Sequence, residues 1–117
     1  HYWLSHPVLG KELDRLEASG LIKHLEEEIL PHEPEMKDAL HRAHWRYIEQ
    51  RLSHLSEQER GELPEGFLKA LKERGIGGLS DFSRVRCLHM HYAQHLVDGN
   101  PIGEYLDLHY PHLRQTL

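Results

Sequence analysis

The chain has one cysteine, Cys87, in 117 residues. A single thiol cannot close an internal disulfide, so a reducing, cytoplasmic setting is expected, with the sulfur free or metal-bound. No apolar run approaches the roughly 20 residues needed to cross a bilayer, and no signal-peptide pattern is present, so no membrane association is expected. Clustered Lys and Arg are also missing: 14 basic side chains face 19 acidic ones, for a formal net charge of -5, which argues against a nucleic-acid partner. The His-Asp doublet of metal phosphohydrolases is absent. Asp38-x-x-His41 is the only approach to the paired Glu-x-x-His motifs of carboxylate-bridged di-iron bundles, so that class is excluded too. Gly75-Ile76-Gly77-Gly78 has neither a Walker lysine nor a dinucleotide fingerprint and reads as a hinge or tight turn. The first residue is His1, not methionine, which predicts that an upstream segment precedes the bulky Tyr2-Trp3-Leu4.

What is plentiful is helical periodicity. With 38% hydrophobic and 28% charged residues, one helical domain over residues 1–117 is expected, built as a small irregular all-α bundle of five to six helices. A short N-terminal strand at Tyr2–Leu4 would precede it. Helix one starts near Ser5-His6-Pro7, carries Val8, Leu9, Leu13 and Leu16, and stops at Gly20. Leu21 to Leu30 forms a short second helix ended by Pro31 and Pro34, and Glu35 to about Leu55 forms the longest. His44 falls inside the apolar stripe of that long helix, one turn from Leu40 and from Ile48. Ser56 to Leu63 reads as a loop or an extra turn, and Pro64 to Arg74 as a brief helix. Ser80 or Asp81 caps a long helix to Asp98, and Asn100-Pro101 opens the last one.

Histidine is the outlier, at 12 residues. Cys87, His89, His91 and His95 crowd one predicted helix, and thiolate with imidazole is a soft to borderline donor set suited to zinc. Residues four apart share a helix face, so Cys87 with His91 could chelate one ion, whereas Cys87 and His89 point roughly 160° apart. Cys87, His91 and His95 together span about 12 Å of rise, too far for a single ion. A closed site therefore recruits ligands from elsewhere, with His44 and His6 the best candidates. The plain reading of the same residues is a buried thiol acting as a small hydrophobe and histidines that bond a neighbour or stay solvated.

Five ordered blocks, YWLSHP, RLEASGLI, AHWRYIEQR, RVRCLHMHYAQHL and GNPIG, cover nearly the whole chain. In that order they resemble a bacterial family, domain of unknown function five-hundred-and-one. The matching positions are Trp3, Pro7, Arg15, Glu17, Gly20, His44, Tyr47, Arg51, Cys87, His89, Asn100, Pro101 and Gly103. Two departures stand out: Ser5-His6-Pro7 replaces a Thr-Cys-Pro block, and Gln94 stands where relatives carry histidine. A Cys-to-His exchange is one that a ligand position tolerates, which adds His6 to the expected set. The resemblance implies further sequence upstream and supplies no activity.

The functional expectation is a transition-metal protein, zinc foremost, using His6, His44, Cys87, His89 and His91, with Arg15, Tyr47 and Arg51 as a polar shell or anion pocket beside the ion. The competing expectation is a metal-free helical interaction module presenting Tyr2, Trp3 and Trp45 to a protein partner.

Overall fold

A computed structural model describes residues 6–117. Among them there are seven α-helices and no strand: α1 (Pro7–Ala18), α2 (Leu21–His24), α3 (Pro34–Ser53), α4 (Glu57–Glu62), α5 (Glu65–Glu73), α6 (Leu88–Asp98) and α7 (Pro101–His109). The expected strand at Tyr2–Leu4 and the expected cap Ser5 lie outside the described residues. No helix of the described residues is long and apolar enough to cross a membrane.

Local chemistry accounts for most of the helix ends. Pro7 occupies the first turn of α1, where its missing N–H has no partner to lose, and the Leu9 N–H donates to His6 Nδ1 at 3.3 Å. Gly20, at φ +89°, takes the left-handed conformation that ends α1. The next segment does not stay α-helical: α2 widens into a π turn over Leu25–Ile29 and then tightens into a 3-10 turn over Leu30–His32. The wide turn inserts one residue, so Leu30 rather than Ile29 follows Leu21 and Leu25 into the core. Ser56 and Glu59 form a reciprocal capping box that winds the polar segment expected as a loop or an extra turn into α4.

The main core gathers Leu9 and Leu13 of α1, Leu21, Leu25 and Leu30, Leu40 of α3, Val85, Leu88 and Tyr92 around α6, and Ile102, Leu106 and Leu113. A smaller cluster of Ala43, Tyr47 and Ile76, with Met90 against it, joins α3 to the 3-10 turn Ile76–Gly78. Helix α5 buries no residue fully and is tied down instead by Arg51, whose guanidinium donates to the Leu71 and Arg74 carbonyls at its C-terminal end. Those carbonyls have no helical N–H to accept, so a cation is the natural cap.

One element starts later than periodicity predicts. Helix α6 begins at Leu88, with Cys87 as its N-cap, and not at Ser80 or Asp81. Asp81 closes only a local turn, accepting from the Ser83 N–H at 3.0 Å and Ser83 Oγ at 2.6 Å. Arg86 then adopts φ +63°, a left-handed value that no helix continues through. The Val85 carbonyl, which a helix would engage with the His89 N–H, accepts instead from Cys87 N–H at 2.7 Å and the His91 ring at 3.0 Å.

Candidate metal centre

Asp14 and Glu17 lie three residues apart on α1 and so share one side of it. Helix α6 packs against α1 and brings His89, from its first turn, between them. His89 Nε2 lies 2.8 Å from Asp14 Oδ1 and 3.2 Å from Glu17 Oε1. With two carboxylates as acceptors, that nitrogen carries the proton in this arrangement. The ligand-capable atoms of all three residues fall within 4.8 Å of one another, and no other such group of three exists among the described residues. The Asp14 side chain is 72% exposed while Glu17 and His89 are about a quarter exposed, so the cluster opens to solvent on one side. Replacing the bridging proton by an ion requires a modest spreading, because donors at ~2.1 Å from a tetrahedral metal stand about 3.4 Å apart.

Of the ligands expected from sequence, His89 alone enters this group. His44 and His91 do meet, with ring centroids 5.5 Å apart in a T-shaped pair, but as neutral core histidines. The His91 ring donates from Nε2 to the Val85 carbonyl at 3.0 Å and accepts at Nδ1 from Asn100 Nδ2 at 3.1 Å, leaving no lone pair for a metal. His44 accepts at Nδ1 from the Ile76 N–H at 3.0 Å and stacks on Phe82 at 4.7 Å; its Nε2 is buried without a hydrogen-bond partner. Burial lowers the pKa of His44 to about 4, helped by the neighbouring His41, and burial with the adjacent His44 lowers that of His91 to about 3.

The other expected residues have separate surroundings. Cys87 belongs to no group of three ligands, because it sits ahead of α6 as its N-cap and does not share a helical face with His91. His6 caps α1 through its Nδ1. Arg15 is 76% exposed and pairs with Glu12 at 3.5 Å, while Arg51 lies 5.2 Å over the Tyr47 ring and spends its donors on α5. His91 and Gln94 are both fully buried. Gln94 Nε2 donates to the Ala43 carbonyl at 2.9 Å and its Oε1 accepts from Asn100 Nδ2, so an amide at this position ties α6 to both α3 and α7. Asp14 was not among the residues singled out from sequence. The available signal was its spacing to Glu17, two carboxylates three apart beside an apolar stripe, a pattern that most surface helices also show.

No curated protein and no solved structure matches the chain. A family model described as "Protein of unknown function (DUF501)" matches residues 1–107, and its extent agrees with the ordered blocks that run from the Tyr-Trp-Leu segment to Gly103. The chain belongs to the DUF501 family.

Proposed function

We propose that this protein binds a divalent transition metal, zinc foremost, through Asp14, Glu17 and His89. The observation that carries this reading is the convergence of one imidazole and two carboxylates from two helices within 4.8 Å. One nitrogen and two oxygen donors suit Zn2+, Mn2+ or Fe2+ better than the softer ions a thiolate would favour. Three protein donors leave a coordination position for water, and the exposed Asp14 side keeps it accessible, as a catalytic rather than a closed structural site requires. Glu17 and His89 are also two of the residues on which the family resemblance rests.

Calorimetric titration of zinc into apo-protein, repeated on His89→Gln and on Asp14→Asn/Glu17→Gln, tests it. Chelation should release one stoichiometric ion from the parent, and both variants should bind at least about tenfold more weakly, the usual scale for losing a ligand or its close support. Cys87→Ala should bind zinc as the parent does. Equal binding by the parent and both ligand variants would place any zinc on the other histidines and end the proposal.

A further inference from the structure

Phe82 is wedged against three other rings, all carried by α3. One face stacks on His44, and the rings of His41 and Trp45 stand nearly perpendicular to it, at 83° and 82°. His41 and Trp45 are four residues apart, so both flank Phe82 from one helix face. Together with Glu73, Ser80 and Asp81 they line an open depression of about 480 Å3. Trp45 is 50% exposed there, and the His41 Nε2 atom is buried with no hydrogen-bond partner. Asp81 is an anion at neutral pH, since hydrogen bonds from Ser83 hold its carboxyl below the usual range. The nearby Arg84 directs its guanidinium to Glu26 at 3.2 Å, not into the depression.

Aromatic faces carry negative electrostatic potential, and a corner of rings with carboxylates at its rim is the chemistry that recognises an ammonium ion. We infer that the depression formed by His41, Trp45, Phe82, Asp81 and Glu73 docks a lysine side chain of a partner protein. Two features favour a side chain over a free small molecule. Small-molecule sites enclose most of their ligand, whereas this depression is open and leaves half of Trp45 in solvent. The chain is also acidic overall, at -5, which steers a basic protein surface toward it. This site is separate from the proposed metal cluster, uses none of its residues and stands whether or not a metal binds.

The probe is Nα-acetyl-lysine methylamide, titrated into the 15N-labelled full chain and compared with its Nε-acetylated form, which keeps the shape and loses the charge. Shifts should centre on the Trp45 indole and on the residues around Phe82, saturating in the ~mM range expected of one side chain without its partner. The acetylated probe should bind about three- to fivefold more weakly, and so should the lysine probe to Trp45→Ala and to Asp81→Asn. The amide oxygen that Asp81→Asn leaves in place still accepts from Ser83, and Trp45 is half-exposed, so both variants test recognition and not folding. Equal binding of the two probes, or shifts that avoid Trp45, would overturn the inference. Spermidine binding more tightly than the lysine probe would overturn the protein partner in favour of a free polyamine.

Discussion

The buried pair His44 and His91 makes this protein sensitive to acid in a calculable way. Both have 0% exposure, and in the folded chain their pKa values lie at about 4 and about 3 against 6.5 for the free side chain. Between those limits the unfolded chain binds two protons that the folded chain refuses, so stability is complete above pH 6.5 and falls as the pH drops below it. At pH 5, about 1.5 units below the free value and at 1.36 kcal/mol per unit, each histidine costs roughly 2 kcal/mol, and the pair roughly 4. At pH 5 both rings are still neutral in the fold, so their mutual repulsion does not enter, and the figure depends only on the unfolded value. A loss of that size is a large part of a typical domain's 5–15 kcal/mol. Urea unfolding followed by far-UV circular dichroism at pH 7.5, 6, 5.5 and 5 measures it. Between pH 6 and 5 the His44→Gln and His91→Gln variants should each flatten the dependence by about one proton, or ~1.4 kcal/mol per pH unit, whatever their stability at neutral pH. A parent chain equally stable at pH 7.5 and 5, or two variants with the parent's slope, would refute the assignment of these rings as neutral core residues.

Asn100 caps α7 by accepting from the Ile102 and Gly103 N–H groups and also donates to Gln94 and His91. Asn100→Ala should therefore cost about 3 kcal/mol or more in chemical denaturation, above the ~1 kcal/mol of an ordinary cap, because two buried acceptors lose their donor. At Gly103 an added Cβ would stand 2.1 Å from His95 Cγ and 2.2 Å from its Cβ, so Gly103→Ala should lower stability by about 2 kcal/mol or more and be visible as a reduced Tm. Arg51→Ala should leave the core helices protected while amide exchange in Glu65–Glu73 accelerates, since α5 loses its C-terminal cap and has little buried area of its own.

What could be read along the chain was what neighbours in sequence decide. Proline and glycine stops, the capping residues and the 3.6-residue stripe set the all-helical class, five of the helices and the inward direction of His44, because each depends on interactions within one or two turns. The family relationship was equally legible, being carried by short ordered blocks. Tertiary contacts decided the rest. Phe82 and Val85 are drawn into the core, and the Val85 carbonyl bonds the His91 ring; a helix from Asp81 would have taken that carbonyl for itself. Cys87 thereby becomes a cap and loses its shared face with His91. The partners of His89 come from α1, 72 to 75 residues earlier, and those of His91 from a loop and a helix cap. A helical wheel knows which residues share a face, but the choice among partners for an imidazole belongs to whichever helix packs against that face.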